Sequence, residues 1–480
     1  MHSKSLKINY IYNLLYQFLA IAVPLLTTPY VSRVLGARNV GLYNYTLGIV
    51  YYFGIFAVTG TATYGQREVA TRQNDKKERS RIFWEVFIFR FFCVTIVFLI
   101  YTFFLNNFML QYKLLFLVNI FTIFSWLVDV SWYFQGVENF KVTAIRNSMV
   151  KLVATVLIFT FIKNPTDLWL YTLIYALSNF AGNLTMIPQL FSEVMIVKIS
   201  FRSIMANFRG IMELFIPVVA IQLYTVLNKI MLGSMSSATQ VGYYSQANQI
   251  INVSITVIYA FVAVLTPRIA FLYKEGNMDE VKRYIRQAFE NVYMLSVPMF
   301  FGSICIADLF VPIFFGSGYK PVIYLIYIMS FLFVIIGLGQ LLGTFLIATN
   351  RQNNYTVAVS MAALINLILN FILLSLGMKA VGVSIATLVA ELIATLIQVY
   401  ALKDLINFKI LNNNLYKYIV SSILMCLAII FVRMIFVPEL IALLASLFIA
   451  IVCYFSTLII LRDSIFYPSF KKIINKIKKQ

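Results

Sequence analysis

Histidine is almost absent: the 480 residues hold one, His2, near the N-terminus. Cysteine is scarce, and Cys93, Cys305, Cys426 and Cys453 each lie inside an apolar run. These shortages exclude His-based metal catalysis, Cys-x-x-Cys zinc sites and a disulfide framework, so no metal site is expected. Charge is also sparse. Charged residues make up 12% of the chain, roughly half of what a soluble globular protein carries. No polar connection is long enough to fold as a domain of its own; the longest lie near 65–81, 192–209 and 274–287 and in the C-terminal tail. A G-x-x-x-x-G-K-[ST] run is missing too, and Gly316-Ser317-Gly318-Tyr319-Lys320 has the wrong spacing and reads as a turn. An ATPase is thereby excluded. Basic residues outnumber acidic ones, 38 to 18, but they do not gather on a polar domain as nucleic-acid binding would require.

What the chain has in abundance is apolar sequence, 61% of all residues. A hydropathy window of about 19 residues finds fourteen spans. Twelve run 10–31, 41–64, 82–105, 114–134, 148–162, 168–191, 210–232, 243–271, 288–315, 321–348, 355–376 and 381–402, and two more, 418–436 and 440–461, follow. The first follows Lys4 and Lys7 and ends without a small-x-small cleavage pattern, so it is expected to stay as a span rather than be removed as a signal peptide. Most Lys and Arg residues fall in the N-terminal tail, the loops after even-numbered spans and the C-terminal tail. The positive-inside rule then puts both termini in the cytoplasm and accounts for most of the net charge of +20. In the tail, Phe470, Ile473, Ile474 and Ile477 share one helical face among Lys471, Lys472, Lys476, Lys478 and Lys479. That pattern fits either an amphipathic helix on an anionic leaflet or an unstructured basic tail.

Two stretches repeat. Arg33-Val34-Leu35-Gly36 is followed by Gly41-Leu42-Tyr43, and Lys229-Ile230-Met231-Leu232-Gly233 by Gly242-Tyr243-Tyr244. Both fall where an odd span hands over to an even one, which predicts two pseudo-symmetric six-helix lobes. The expected fold class is an all-α polytopic membrane protein with about 14 transmembrane helices. Its lobes are expected at 1–197 and 198–410, with two additional helices and a basic tail at 411–480. Pro24, Pro29, Pro217, Pro267, Pro298 and Pro312 interrupt spans of both lobes, as suits helices that rock.

Ionisable groups at membrane depth cost about 2.5 to 3.5 kcal/mol or more and are functional candidates. Glu391, near the middle of its span, and Arg90, about 12 Å deep, are the most expensive. Arg33 and Lys229 lie near outer span ends, where snorkelling competes with a substrate role. Asp308 and Arg433 are also near outer ends and favour a structural reading; Asp129, Glu213 and Arg268 are inner-end charges. Glu85 can pair with Arg81 one turn away. Tyr43, Tyr45, Tyr51 and Tyr52 suit interfacial packing first and sugar stacking second.

Several of these residues resemble the polysaccharide repeat-unit flippases of the Wzx type, in the multidrug/oligosaccharidyl-lipid/polysaccharide exporter superfamily. They are Trp132-Tyr133-Phe134-Gln135-Gly136 with Glu138, Pro29 to Gly41, Lys229 to Gly233 with Gly242-Tyr243-Tyr244-Ser245, Pro267-Arg268, and Asn366, Asn370, Gly377, Gly382 and Glu391. Asn228 stands where that family often has aspartate. The resemblance implies alternating access of two lobes about a hydrated cavity in a bacterial inner membrane, moving undecaprenyl-diphosphate-linked oligosaccharide outward for capsule, O-antigen or exopolysaccharide. It implies no enzyme activity and no cofactor, leaves a coupling cation (H+ or Na+) open, and makes a polymerase and other polysaccharide-synthesis proteins candidate partners. Arg90, Arg33 and Lys229 become the expected anion contacts and Glu391 the coupling or charge-pair residue. Competing readings are a cation-coupled drug exporter, an integral-membrane polymerase or ligase, and a scaffold in a synthase complex. The thin scatter of basic residues over short outer loops argues against the enzyme.

Overall fold

Gly36 divides the longest helix of the chain. In this computed structural model, which describes residues 2–108, 110–406, 414–435 and 439–477, helix α1 (His2–Val58) carries both of the first two spans. A single non-helical residue, Gly36 at φ 75° and ψ 167°, separates them. That backbone region is open essentially to glycine alone, so one residue breaks the helix where hydropathy predicts a loop over 32–40. The expected loop is therefore helix on both sides of a one-residue break.

The described residues form helices and no strand, as an apolar chain must when every backbone group has to find its partner without water. After α1 come α2 (Thr61–Thr71), α3 (Lys76–Phe108), α4 (Lys113–Val118), α5 (Ile120–Leu127), α6 (Ser131–Gly136), α7 (Phe140–Phe161), α8 (Leu168–Leu184), α9 (Ile187–Glu193), α10 (Phe201–Ala206) and α11 (Phe208–Met235). Then follow α12 (Ala238–Lys274), α13 (Met278–Phe315), α14 (Pro321–Met329), α15 (Leu332–Ala348), α16 (Gln352–Ser375), α17 (Lys379–Ala401), α18 (Leu415–Ile435), α19 (Glu439–Ile460) and α20 (Phe466–Ile477). Among the described residues, 11 helical stretches are long and apolar enough to cross a membrane, the first of them holding the Gly36 break. The sixth and seventh expected spans fall on α8 and α11.

Two compact units divide the chain, residues 1–242 and 243–480. In the first, α7 and α11 pack along α1, while α5 and α7 pack on α8. Helix α11, which the sequence division gives to the second lobe, thus lies against α1 in the first unit; the expected boundary at 410/411 lies outside the described residues. The repeat-related glycines meet there. A Cβ on Gly41 would stand 1.7 Å from the Ala238 carbonyl oxygen, and one on Gly242 would stand 2.0 Å from that of Ala37. Only hydrogen fits at either position, and the small residues let two backbones cross closely, as in membrane helix pairs generally.

Near the α2 and α6 helices the Trp132 to Gly136 run supplies the core. Trp132 stacks on Phe83 (centroids 5.5 Å apart, planes 17° apart) and covers Gly65, where a Cβ would come 2.5 Å from its ring. Gly136 in turn lies against the Gln66 carbonyl and Val69. The motif carried by the resemblance is thus a packing joint between α2, α3 and α6.

The second unit pairs α16 with α17 and α18 with α19, and α13 packs on α15 and α18. Outside the spans, the Arg351 guanidinium grips Asp404 through two hydrogen bonds of 2.8 and 2.6 Å and also donates to the Ala401 carbonyl. This fork holds the Asp404 carboxyl down to about 2, so the tie persists at neutral pH and loosens only as pH falls toward that value. At the C-terminal end, α20 is a helix whose Phe466 packs on Phe455 at 4.6 Å; Lys478 and Lys479 lie outside the described residues.

Gly65→Val should drive a side chain into Trp132 and destabilise the fold by about 1–3 kcal/mol. Gly318→Ala, at a site with no atom within 4 Å of the new Cβ, should stay within about 0.5 kcal/mol of wild type. Thermal unfolding of the two purified variants in detergent separates these outcomes.

Candidate functional site

Three polar arrangements stand out in the first unit, those of Arg90, Glu85 and Lys229, the first two buried. Arg90 on α3 is 1% exposed. Its Nε donates to Thr61 Oγ1 at 2.8 Å and its Nη1 to the Asp129 carbonyl at 2.6 Å, with the Trp126 carbonyl at 3.5 Å and the guanidinium 5.8 Å from the Trp132 ring. These acceptors sit at helix ends, Thr61 opening α2 and residues 126–129 bridging α5 and α6. A guanidinium has five donors in a rigid fork, which is what several chain breaks with unused carbonyls can bind. Arg90 therefore closes the joint between α2, α3 and the α5–α6 break rather than standing in open cavity.

The second arrangement centres on Glu85, also on α3. It accepts a 2.8 Å hydrogen bond from Asn207 Nδ2, and Asn207 Oδ1 accepts one of 2.6 Å from the Tyr64 hydroxyl. Arg81, the partner expected from helical spacing, stands 3.6 Å away. Asn207 lies 122 positions from Glu85, so helical spacing could not reveal it.

Lys229 on α11 gives the third. Its Nζ donates to Asn44 Oδ1 at 3.0 Å, and Asn44 Nδ2 donates to the Val40 carbonyl at 2.9 Å, which turns the amide oxygen toward the ammonium. The lysine thus points at α1 instead of snorkelling away from it. Asn44 immediately precedes Tyr45 and Lys229 immediately precedes Ile230, and both followers line a cavity of about 460 Å3. Tyr52, Gln111, Tyr112 and Leu227 complete much of its wall. The aromatic faces and the Gln111 amide of that wall can stack a sugar ring and hydrogen-bond its hydroxyls, and the Lys229 ammonium, next in sequence to a lining residue, can hold an anion. Arg33, the repeat counterpart of Lys229, is exposed. Sequence reading missed Asn44, Gln111 and Tyr112; the signal available was that Asn44 follows Gly41 within the repeated stretch.

The remaining predicted residues are dispersed. Asp129 accepts from the Ser131 backbone N–H at 3.0 Å and stands 4.0 Å from Arg146. Glu213 pairs with Arg209 at 3.1 Å on an exposed helix face. Arg268 is exposed, 5.6 Å from the Phe271 ring and 5.8 Å from that of Tyr284. Asp308 and Arg433 form a 2.6 Å ion pair that joins α13 to α18. Glu391 is half-buried on α17 within electrostatic range of Tyr259 and Tyr355. In α16, Asn370 donates to Asn366 at 2.9 Å, both fully buried. Tyr43 packs with Tyr171 and Tyr175, and Tyr51 lies 6.0 Å from Trp126. No cluster of three metal-ligating side chains occurs among the described residues.

Residues 6–272 match the model of the polysaccharide biosynthesis protein family. The chain belongs to that family. Among its relatives is a "Putative O-antigen transporter" of Escherichia coli (strain K12), 25% identical over 412 residues, which are 82% of this chain and 95% of the relative. The "Probable low-salt glycan biosynthesis flippase Agl15" of Haloferax volcanii is 23% identical over 53% of this chain and 54% of its own. The family member also shares its fold with two kinds of solved transporter. The inward closed conformation of the lipid II flippase MurJ superposes with a TM-score of 0.75 at 15% identity, covering 95% of this chain and 98% of that one. An inward-facing multidrug resistance MATE family transporter gives 0.63 at 13% identity, covering 80% and 95%.

Lys229→Gln should fold normally and lower transport, whereas Arg90→Ala should lower thermal stability by about 1–3 kcal/mol for each carbonyl or hydroxyl it strands. Measuring unfolding and export together tests this assignment. An Arg90→Ala protein with wild-type stability but no export would make Arg90 a ligand contact after all.

Proposed function

We propose that this chain is a flippase that carries polyprenyl-diphosphate-linked oligosaccharide from the inner to the outer leaflet of a bacterial cytoplasmic membrane by alternating access. The observation that carries this reading is the alignment with an O-antigen transporter along 95% of that relative's length. Both termini face the cytoplasm by the distribution of Lys and Arg. Polymerase and other synthesis proteins would take the product.

Chemically, the lipid tail can stay in the bilayer while the protein shields the head. Lys229, oriented by Asn44, and Arg33 are the proposed diphosphate contacts, and Tyr45, Tyr52 and Tyr112 the proposed sugar-stacking faces. Arg90 serves as a positioning residue for the start of α2 and the α5–α6 break. Asp129, Glu213 and Arg268 serve the inner ends of their helices. Glu391 is the proposed coupling residue, for H+ or Na+. With a cell interior that is negative, outward movement of two phosphate charges is favoured by roughly 2 × 2.3 kcal/mol per 100 mV, and a coupled cation would add to that driving force.

A drug exporter of the same fold is the second reading, favoured by Glu391 alone. Cells depleted of the protein decide between them. The flippase reading expects full-length lipid-linked oligosaccharide to accumulate facing the cytoplasm, and Lys229→Gln to restore export about tenfold less well than wild type. An unchanged lipid pool with raised sensitivity to cationic drugs would favour the exporter.

A further inference from the structure

Away from the Lys229 site, α7 and α8 enclose a groove of about 1010 Å3 that the transport reading does not use. Its floor is made of small residues on one face of α8, Ser178, Ala181, Gly182 and Thr185. Gly182 is what lets the helices close: a Cβ there would stand 2.1 Å from Val150 Cγ2. The walls are aliphatic, among them Met149, Val153, Leu157 and Leu177, and Met149, Val153 and Leu177 are exposed on the protein surface.

The two ends of the groove differ. Because α7 and α8 run antiparallel through a short connection, the start of α7 meets the end of α8, and there the lining is Asn139, Lys141, Arg146, Thr185 and Gln189. The opposite end is lined by Leu157, Phe161, Leu170 and Leu173. Arg146 is not saturated at this mouth. Its Nη1 donates to Asn147 Oδ1, but the Asp129 carboxylate oxygen stands 4.0 Å from its Nη2 and its Nε has no hydrogen-bond partner among the described residues. Two cations at the mouth of an otherwise apolar slot fit an anionic headgroup with a hydrocarbon tail.

Length selects the tail. From Lys141 to Phe161 the groove follows twenty helical residues, or ~30 Å, the full hydrocarbon thickness of a bilayer. A phospholipid acyl chain occupies one leaflet, about half of that. A long polyprenyl chain fills the whole run. We infer that the α7–α8 groove is a docking track for the polyprenyl tail of the transported lipid, with the diphosphate held at the Lys141–Arg146 mouth. The inference rests on the flippase reading and adds to it a site outside the Lys229 cavity. By the distribution of basic residues the mouth faces the cytoplasm, where the substrate is loaded. A tail held along both leaflets can also stay in contact while the head changes sides.

Photo-crosslinking tests the track on the full chain. Benzoylphenylalanine is placed at Val153, in the groove and 51% exposed, or at Val156, 63% exposed on the same helix but outside it. Each protein is reconstituted into phosphatidylethanolamine–phosphatidylglycerol vesicles doped with undecaprenyl diphosphate, irradiated and analysed by mass spectrometry. The expected result is about tenfold more undecaprenyl adduct at Val153 than at Val156, falling severalfold when Lys141→Gln and Arg146→Gln are added. Equal undecaprenyl labelling at the two positions, or a groove labelled mainly by phosphatidylglycerol, overturns the assignment. Native mass spectrometry of the wild-type protein in the same vesicles separates two failures. Retention of undecaprenyl diphosphate without preferential Val153 labelling sinks the track and leaves the flippase reading standing; no retention at all sinks both.

Discussion

A guanidinium at membrane depth has to be satisfied by the protein, because lipid offers it nothing. In the first unit Arg90 meets most of that demand with Thr61 Oγ1 and the carbonyls of Trp126 and Asp129, which stand where α2 begins and α5 ends, while its Nη2 has no hydrogen-bond partner among the described residues. The dependence runs both ways. The breaks expose carbonyls that need a donor, and the arginine needs acceptors that an unbroken helix would not spare. Trp132 then lies over the guanidinium on one side and stacks on Phe83, so the same joint fixes the packing of α3 and α6. The polar site near Lys229 is built between α11 and α1, and α1 packs against α3, the helix that carries Arg90, and against α5.

Glycine determines how closely these helices approach. Gly36 breaks the helix between the first two spans, Gly41 and Gly242 let two backbones cross, Gly65 and Gly136 seat the α2–α6 pair, and Gly182 closes α7 on α8. At Gly41 and Gly242 the contact is with a backbone oxygen, at Gly65 with an indole ring, at Gly136 with a carbonyl oxygen and a valine, and at Gly182 with a valine side chain; Gly36 has open space around it and matters for its φ alone. Since lipid is as apolar as leucine, close approach of this kind does much of the work that hydrophobic burial does in water. The result is a framework in which a few polar groups can be held at depth without collapsing onto one another.

Much of this was legible in the sequence, and the rest was hidden for definable reasons. Apolar runs of about twenty residues between basic loops announced membrane helices, and α3, α7, α16 and α17 fall where hydropathy puts them. Gly36 was misjudged because Arg33, Arg38 and Asn39 look like a loop, whereas one glycine φ angle does the turning. Arg90 was conspicuous as a costly charge, but its acceptors include main-chain atoms, which no side-chain pattern displays. Glu85 had a tempting partner one turn away and a better one 122 positions off. For Lys229 the sequence left snorkelling and a substrate role open; its partner Asn44, on a different helix, could not be read from spacing. The Trp132 to Gly136 run was correctly singled out, yet its role is packing. For the α7–α8 groove a signal did exist, small residues at 178, 181, 182 and 185 with helical spacing, but small residues in apolar helices mark contacts of every kind.

The most direct measurement is transbilayer movement by the purified protein. Vesicles carrying undecaprenyl-diphosphate-linked oligosaccharide would be reconstituted with or without this chain, and the fraction of sugar reachable by a membrane-impermeant glycosidase followed over time. The account predicts that protein-containing vesicles expose essentially all of the sugar within minutes, that protein-free vesicles hold about half of it protected, and that Lys229→Gln slows the exchange about tenfold. An inner-leaflet pool that stays protected in vesicles containing correctly folded protein would contradict it.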